Sequence, residues 1–517
     1  MKIKKLLKII AIIIKYLLLI LFTILLFTSI YVKDYFNDIS FEQLLFTLKY
    51  PSGTSMSAIS DGIIYVLIRV LVVLSIILFV KFLYSKLHLK VYLKWITKKR
   101  TGKINVIRWN KNIWFIVFLF VVPIASFNLL NLNEYWKNQK SSTKIFEDYY
   151  VDPKNISYSF PNKKRNLIYI FVESLESTNI STINGGLVEQ SYIPNLENLA
   201  LNNINFSNND KIGGSLQLNG SGWTAGAMVS QTSGVPLKIS IDANEYEGYG
   251  EFLPGVYNIG EVLKDNGYSN YLMMGSDATF GGRKDYFTYH GNYTIYDYVS
   301  AKEEGLIDKD YSVWWGYEDK KLFEFAKDKI LKISKNDEPF SFTMLTADTH
   351  FIDGYLDESC PKMFESQYAN SFYCSDMMIN EFVEWIKKQD FYDNTTIIIT
   401  GDHLTMQSGF YDISNGYIRT VYNTFINSAV EPVKEKERLF TSVDMYPTTL
   451  AALGVKIDGN KLGLGVNLFS SEQTLSEKLG FDYFYEELNK KSFFYDNDLL
   501  RNSYYQMQEK INEEKEG

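Results

Sequence analysis

The chain has 517 residues, enough for one large domain with a membrane region or for two ordinary domains. Hydrophobic residues make up 46% of it and charged residues 22%, which excludes a disordered chain and a purely membrane-embedded one. The formal net charge of −7 argues against a nucleic-acid-binding protein, which would carry a basic face. The charge is unevenly distributed, since residues 1–112 are basic and the remainder is acidic.

Three apolar runs stand near the N-terminus, at about residues 9–31, 62–84 and 113–131. Each approaches or exceeds the ~20 residues that a helix needs to cross the hydrocarbon core of a bilayer. A cleaved signal peptide is a weaker interpretation of the first run, because the run is too long and no small-residue cleavage site follows it. Residues 1–132 are therefore predicted to be a membrane region with three transmembrane helices.

The distribution of lysine and arginine predicts how this membrane region is oriented. The N-terminus is basic, and the segment 85–112 between the second and third runs carries many cations and no acidic residue. The segment 33–61 between the first two runs is mixed in charge. By the positive-inside rule, the N-terminus and segment 85–112 are cytoplasmic, and the chain after residue 132 is extracytoplasmic. The predicted location is thus the cell membrane, as a multi-pass protein.

Beyond a polar segment at 133–160, predicted to be a linker, strand-length apolar runs alternate with helical patterns. The predicted strands are 167–172, 340–345 and 395–399, and the predicted helices are 194–203, 257–267, 366–389 and 445–453. Uninterrupted apolar runs are typical of strands buried on both faces. The alternation predicts an α/β domain with a mostly parallel central sheet flanked by helices. We place this domain at 161–470 and a C-terminal extension at 471–517.

Ionisable side chains follow directly after all three predicted strands. Glu173 follows the first, Asp348 and His350 follow the second, and Asp402 and His403 follow the third. In parallel sheets the chemistry lies at the carboxyl ends of the strands, so these groups are expected at one edge. Carboxylates with one imidazole favour Mn²⁺ or Mg²⁺ over structural zinc. An Asp-His pair alone is more often a hydrogen-bonded turn.

The glycine-rich segment 213–229 becomes compatible with a helix near Thr224. A hydroxyl at a helix N-terminus, bound to a divalent cation, loses its proton more readily and can attack phosphorus. The alternative is an ordinary N-capping threonine. The two cysteines, Cys360 and Cys374, form either a disulfide that closes a short loop or two free thiols.

Together these motifs resemble the alkaline-phosphatase/sulfatase-like superfamily. Within it, the chain resembles the branch of lipoteichoic acid synthases and phosphoglycerol transferases, and it most resembles the phosphoglycerol transferases of periplasmic glucans. It rests on these segments: 166–177, Gly222-Trp223-Thr224, Ala347-Asp348-Thr349-His350, Gly401-Asp402-His403, 440–450 and Gly463-Leu464-Gly465. The Cys/Ser-x-Pro-x-Arg segment of true sulfatases is replaced here by Gly-Trp-Thr-Ala-Gly.

The resemblance implies one divalent ion, Mn²⁺ or else Mg²⁺, with four ligands: Glu173, Thr224, Asp402 and His403. It implies Thr224 as the nucleophile, and it implies three substrate-binding residues: Asp277, Arg283 and His350. Taken alone, Arg283 could be a surface residue and His350 an ordinary strand-end histidine. The lipoteichoic acid synthases lead us to expect a tryptophan two residues before the arginine, where this chain has Gly281.

The implied reaction moves glycerol phosphate from phosphatidylglycerol to an extracytoplasmic glycan or polymer through a phospho-threonine intermediate. Alternatives on the same fold are a lipoteichoic acid synthase proper, a phosphoethanolamine transferase and a phosphodiesterase. A non-catalytic membrane sensor of lipid or glycan is a further alternative. The acceptor, the physiological metal, the oligomeric state and any proteolytic release of the domain stay open at this stage.

Overall fold

The computed structural model describes residues 2–36, 41, 44, 56–87, 92–97, 100–105, 113–238, 252–407 and 409–500. The chain divides into two compact units. One consists of Met1–Phe41 with Thr54–Trp136, and the other of Glu42–Gly53 with Lys137–Gly517.

The first unit is built mainly from apolar helices. Its elements are α1 (Lys2–Phe36), α2 (Met56–Leu87), the antiparallel hairpin of β1 (Tyr92–Thr97) and β2 (Arg100–Asn105), α3 (Ile113–Leu129) and α4 (Leu132–Lys140), which continues into the second unit. The helix α1 packs against α2 and α3, with Tyr31 and Tyr65 rings 5.3 Å apart. The hairpin lies in the basic segment, where the sequence predicted no strands.

Two of the described helices are long and apolar enough to cross a membrane, over Ile3–Asp34 and Ser60–Leu83. They coincide with the first two predicted spans. The third predicted span falls on α3, which has 17 residues and meets α4 at a bend of 72°. Counting Phe115–Leu129 and Leu132–Lys140 together as one span gives a total of three. The third crossing and the orientation therefore stay predictions.

The second unit is an α/β domain. Its strands are β3 (Tyr158–Ser159), β4 (Asn166–Val172), β5 (Gly214–Ser215), β6 (Ser269–Met274), β7 (Thr294–Tyr296), β8 (Phe340–Leu345), β9 (Thr395–Gly401), β10 (Val421–Ile426), β11 (Lys456–Ile457), β12 (Lys461–Leu462) and β13 (Gly465–Val466). Its helices are α5 (Ile145–Tyr149), α6 (Pro194–Asn202), α7 (Thr224–Ser233), α8 (Ile259–Asp265), α9 (Arg283–Tyr289), α10 (Tyr298–Glu303), α11 (Asp319–Ile333), α12 (Gln367–Ile386), α13 (Met445–Ala452), α14 (Leu475–Leu479) and α15 (Phe481–Asn489).

Seven strands form the central sheet in the order β5-β10-β9-β4-β8-β6-β7. The pairs from β9 to β7 are parallel, and β10 and β5 are added antiparallel at one edge. The mostly parallel sheet is thus confirmed. The three predicted strands are its centre, β9-β4-β8.

The sheet is covered on both faces, which explains why its central strands are apolar at every position. Along β4, residues Leu167, Tyr169 and Phe171 enter one buried cluster, which also contains side chains of α7 and α13. The alternate residues Ile168 and Ile170 enter a second cluster with α6, α11 and α12. Because successive side chains of a strand point to opposite faces, both faces of β4 are core.

Chain segments beside the sheet complete the domain. Phe146 of α5 is fully buried although it lies in the segment predicted to be a linker. Cys360 and Cys374 form a disulfide, with Cα atoms 5.6 Å apart, so the structure has the bridge and not the free thiols. The predicted domain boundaries at 160 and 470 stay predictions, and residues 501–517 of the predicted extension lie outside the described part of the chain.

Candidate active site and metal centre

The carboxyl ends of β4 and β9 bring three metal-binding side chains together. Val172 pairs with Gly401, and the Asp402 N–H donates to the Val172 carbonyl at 3.1 Å, so the strands are still aligned where their polar residues begin. The candidate ligand atoms of Glu173, Asp402 and His403 lie within 4.8 Å of one another, and all three residues are buried. The register of β4 and β9 therefore brings together the metal-binding side chains that the sequence predicted at the ends of these strands.

Two backbone N–H groups orient the Asp402 carboxylate. Its Oδ1 accepts from the N–H groups of Ser174, at 2.8 Å, and His403, at 2.7 Å. Ser174 has a φ of 56°, which turns the chain after β4 so that its N–H points back to Asp402. The second oxygen, Oδ2, is left for another partner.

The Asp402 Oδ2 and His403 Nε2 atoms are buried and make no hydrogen bond within the described structure. They lie 3.3 Å apart, and His403 Nε2 lies 3.4 Å from Glu173 Oε1. His403 Nδ1 is 2.9 Å from the Leu404 carbonyl; we assign the proton to Nδ1, which leaves a lone pair on Nε2. Buried polar atoms without partners are costly, and a divalent cation among these three side chains would satisfy them.

The electrostatics of this group also fit a cation. Burial, together with the charge of the adjacent Glu173 carboxylate, raises the pKa of Asp402 to about 8. Burial acts in the same direction on Glu173 and is the largest single influence. The imidazoles of His403 and His350 oppose it, as do hydrogen bonds from Ser174 and Thr224, and together they lower the pKa of Glu173. Two carboxylates this close repel each other unless a positive charge lies between them.

Thr224 is the first residue of α7, and its hydroxyl donates to Glu173 Oε2 at 3.0 Å. The N-cap position belongs to Trp223, so Thr224 is not the capping residue of this helix. The hydroxyl instead lies at the edge of the metal-binding group, half-buried at the helix N-terminus. All four predicted ligands are therefore neighbours.

Arg283 begins α9 and is buried, in contrast to the surface position that its sequence context allowed. Its Nε donates to the Phe280 carbonyl at 2.9 Å and its Nη2 to the Asp277 carbonyl at 2.8 Å. Burial lowers the pKa of Arg283 to about 10, while Glu173 raises it most among the nearby charges. The positive charge of Arg283 therefore interacts with the Glu173 carboxylate of the metal-binding group.

Glycines shape the turn that carries Arg283. Gly281 and Gly282 have φ of 65° and 69°, and a Cβ at Gly282 would lie 2.6 Å from the Phe252 ring. The position where relatives led us to expect tryptophan is thus one where the backbone favours glycine.

Asp277 and His350 differ in how they face the site. The Asp277 carboxylate accepts from the Thr279 N–H at 2.8 Å and hydroxyl at 2.7 Å, so its link to Arg283 runs through the main chain. His350 is half-buried after β8; burial lowers its pKa, and Glu173 raises it. Substrate binding by either residue stays a prediction.

Two residues at the site were missed by sequence reasoning. The Trp315 ring lies 4.5 Å from His350 and 6.0 Å from Phe280 between centroids. Gln231, two helical turns after Thr224, donates to the Gly401 carbonyl at 3.0 Å and accepts from the Tyr169 hydroxyl at 3.1 Å. The seven-residue spacing from Thr224 placed Gln231 on the same helix face and was the available signal.

The chain is similar in sequence to several known proteins. The sulfatase family model matches residues 165–455. Phosphoglycerol transferase I of Xanthomonas axonopodis pv. citri is 30% identical over 318 residues, covering 60% of this chain and 43% of that protein. The enzyme of the same name from Salmonella choleraesuis is 31% identical over 343 residues, covering 64% and 42%. The matches thus span less than half the length of these relatives.

A similar solved structure is the lipoteichoic acid synthase LtaP from Listeria monocytogenes. It is 19% identical, has a TM-score of 0.48, and the match covers 64% of this chain and 82% of that one.

Proposed function

The chain belongs to the sulfatase family, and from this membership we propose that it is a membrane-anchored phosphoglycerol transferase. The observation that carries the proposal is the hydroxyl of Thr224, hydrogen-bonded to Glu173 beside a buried group with two unpartnered ligand atoms. A hydroxyl in this position has the surroundings of an activated nucleophile. The names of the relatives support glycerol phosphate as the group transferred.

The proposed metal is Mn²⁺, or else Mg²⁺, held by Glu173, Asp402, His403 and Thr224. The donor set is three oxygens and one imidazole nitrogen, which suits these hard cations. When bound, the ion supplies positive charge that lowers the pKa of the hydroxyl and neutralises the phosphate.

In the first half-reaction, Thr224 Oγ attacks the phosphorus of phosphatidylglycerol and loses its proton toward Glu173 Oε2, the acceptor at 3.0 Å. The bond from phosphorus to the diacylglycerol oxygen breaks, and diacylglycerol leaves after taking up a proton. Arg283 and His350 orient the phosphate oxygens, because a buried guanidinium suits a phosphate in both charge and shape.

In the second half-reaction, a hydroxyl of an extracytoplasmic glycan or glycerophosphate polymer attacks the phosphoglyceryl-threonine. The acceptor gains glycerol phosphate, and Thr224 regains its proton. Phosphoryl transfer depends mainly on alignment and charge neutralisation, which these residues would provide.

Trapping the covalent intermediate tests this proposal. The full chain in detergent, with Mn²⁺ and phosphatidylglycerol but no acceptor, is quenched and digested for mass spectrometry. We expect a glycerophosphate adduct on the Thr224 peptide and release of diacylglycerol, and neither in Thr224→Ala. Diacylglycerol release without any adduct would overturn the threonine mechanism. An adduct from phosphatidylethanolamine instead would point to a phosphoethanolamine transferase.

The proposed location of the catalytic unit is outside the cytoplasm, where the outer leaflet supplies the lipid donor. The two apolar helices and the basic segment 85–112 support this orientation. A reporter enzyme that is active only outside the cytoplasm should be active when fused after residue 140 and inactive when fused at residue 100. The opposite pattern would overturn the orientation.

A further inference from the structure

We propose that the buried ion pair between Glu176 and Arg419 positions the metal-binding side chains, by joining the two loops that carry them. In the described part of the chain, neither residue has a side-chain hydrogen bond or ion pair to a candidate ligand, so this is a positioning role. The inference rests on the proposed metal site and extends it to two residues that were given no role in it. Glu176 lies within the motif segment 166–177, and Arg419 lies outside the motif segments.

The pair is bidentate and buried. Arg419 Nε donates to Glu176 Oε2 at 2.7 Å, and Nη2 donates to Oε1 at 2.6 Å. The Glu176 side chain is fully buried and that of Arg419 is 19% exposed. A two-bond guanidinium–carboxylate contact fixes both distance and angle between the residues that bear it.

Glu176 lies on the loop that follows β4, close after Glu173. One of its carboxylate oxygens accepts from Thr178 on the same loop, and the other bonds to the loop that follows β9. Its Oε1 accepts from the Thr405 N–H at 3.1 Å. Arg419 Nη2 also donates to the Thr405 carbonyl at 3.0 Å. Both main-chain groups of Thr405, which closely follows His403, are therefore held by this one ion pair.

Further contacts make this a continuous connection between the two loops. The Tyr411 hydroxyl donates to Asn179 Oδ1 at 2.6 Å, and the Tyr411 ring lies 5.4 Å from the Arg419 guanidinium carbon. The Ser177 N–H donates to the Thr420 carbonyl at 2.9 Å. The loop after β9 is thus attached to the loop after β4 at several points beyond the metal ligands.

The need for such a connection follows from where the sheet ends. Parallel pairing aligns β4 and β9 as far as Val172 and Gly401. Beyond that point the chain forms loops, yet Glu173, Asp402 and His403 must stay within bonding distance of one ion. Ligands are held in place by groups behind them, and loss of such groups typically weakens metal binding 10- to 100-fold.

The chain offers a matched control. Arg438 and Glu477 form another buried bidentate pair, with Nε to Oε1 at 2.7 Å and Nη2 to Oε2 at 3.3 Å. The other partners of the Arg438 side chain are the carbonyls of residues 468, 470 and 472, which lie on neither ligand-bearing loop. Arg438→Lys therefore removes a similar contact without touching the metal-binding loops.

The test measures Mn²⁺ affinity by calorimetry on the full chain in detergent, together with the melting temperature of the metal-free protein. We expect Arg419→Lys to weaken Mn²⁺ binding roughly 10- to 100-fold. Arg438→Lys should lower the melting temperature comparably and leave the Mn²⁺ affinity within about twofold of wild type. Glu176→Gln keeps one acceptor oxygen for Thr405 and Arg419, so it should weaken Mn²⁺ binding less than Arg419→Lys does. It provides the test of the proposal if Arg419→Lys does not fold.

The outcomes separate the two proposals. Wild type that binds Mn²⁺, with unchanged affinity in Arg419→Lys and Glu176→Gln, overturns the positioning role and leaves the metal site standing. Equal losses in Arg419→Lys and Arg438→Lys also overturn it, because they would reflect general destabilisation. Wild type that binds neither Mn²⁺ nor Mg²⁺ overturns the proposed metal site and this inference together.

Discussion

The two halves of the candidate site are built from different kinds of backbone. The metal half, consisting of Glu173, Asp402 and His403, follows directly from the paired central strands β4 and β9. The phosphate half, consisting of Asp277, Arg283 and His350, stands on loops and at the start of the helix α9. One half inherits its geometry from strand register, and the other depends on turns that glycines and local hydrogen bonds maintain.

The halves also differ in whether their polar atoms have hydrogen-bond partners. In the metal half, Asp402 Oδ2 and His403 Nε2 have lone pairs without partners in the described structure. In the phosphate half, Arg283 brings a buried positive charge that is held by carbonyl oxygens. On the proposed mechanism a cation would complete the metal half and an anion the phosphate half, so the two halves should respond differently to substitution.

The largest effect is expected at Thr224, the hydroxyl that the metal half holds through Glu173. Thr224→Asn should fold, because Thr224 does not cap the helix and is only half-buried, but the asparagine amide cannot form a phosphoester. We expect diacylglycerol release to fall roughly 10⁴-fold or more, as for other lost nucleophiles.

Thr224→Ser is the matched control, since it keeps the hydroxyl and should retain measurable turnover. A Thr224→Asn protein with near wild-type release of diacylglycerol would remove Thr224 from the mechanism.

The second prediction separates metal binding from stability within the metal half. Asp402→Asn keeps Oδ1 as the acceptor for Ser174 and His403 and replaces the unpartnered oxygen. Mn²⁺ affinity should fall roughly 100-fold, since a ligand is lost. The metal-free protein should melt at a higher temperature above pH 8, because burial and Glu173 disfavour the ionised Asp402 there.

Calorimetry measures the expected fall in Mn²⁺ affinity, and thermal unfolding of the same preparation measures the expected rise in melting temperature. A lower melting temperature for metal-free Asp402→Asn would show that the carboxylate is structural and not held in place for a cation.

The third prediction concerns the phosphate half. Arg283→Lys keeps the charge but loses the planar guanidinium, so kcat/KM for the lipid donor should fall roughly 10- to 100-fold. Mn²⁺ affinity should stay near that of wild type, because Arg283 is not among the proposed ligands. Lys284→Ala, at the exposed neighbouring position, is the control and should leave both quantities unchanged.

Comparable losses of Mn²⁺ affinity and of kcat/KM in Arg283→Lys would contradict a division into two halves.

The smallest effect is expected at a buried acid pair that supports the loop of His350. Asp319 accepts from the Ala347 and Asp348 N–H groups at 2.8 and 3.0 Å, and the Asp319 N–H donates to Asp348 Oδ2 at 3.2 Å. Burial raises the pKa of Asp319 to about 7, and burial with the charge of Asp319 raises that of Asp348.

Raised carboxyl pKa values mean that the folded state binds more protons than the unfolded state above about pH 4. The free energy of unfolding should therefore fall as the pH rises from about 4 to 7. Asp348→Asn should make this decline shallower and add roughly 1–2 kcal/mol at pH 8. Denaturant unfolding as a function of pH measures this difference in wild type, in Asp348→Asn and in Asp328→Asn, an exposed control on α11. Equal pH slopes in these three proteins would contradict the coupling between Asp319 and Asp348.

Much of the framework was predictable from local patterns. The uninterrupted apolar runs predicted β4, β8 and β9, which differ from the predicted strands by at most two residues at an end. The four predicted helices, at 194–203, 257–267, 366–389 and 445–453, correspond to α6, α8, α12 and α13. These features are readable because periodicity and strand length are properties of neighbouring residues.

The juxtaposition of the strand ends could be expected, but not its detail. Parallel topology places Glu173 and Asp402 at one edge, and the glycine-rich segment predicts a helix beginning near Thr224. Ser174 holds one oxygen of Asp402 and leaves the other without a partner in the described structure. This arrangement depends on a positive φ at Ser174, and no sequence pattern indicated that φ.

By itself, then, the sequence determined the three central strands, four of the helices, the apolar N-terminal segments and the types of residue at the strand ends. Tertiary structure alone decided that Arg283 is buried, that the Asp277 carboxylate faces Thr279, and that Cys360 and Cys374 are joined. It also decided the pairing of Glu176 with Arg419, which are 243 positions apart. Such contacts depend on strand register and loop path together, and these are set by packing across the whole domain and not by neighbouring residues.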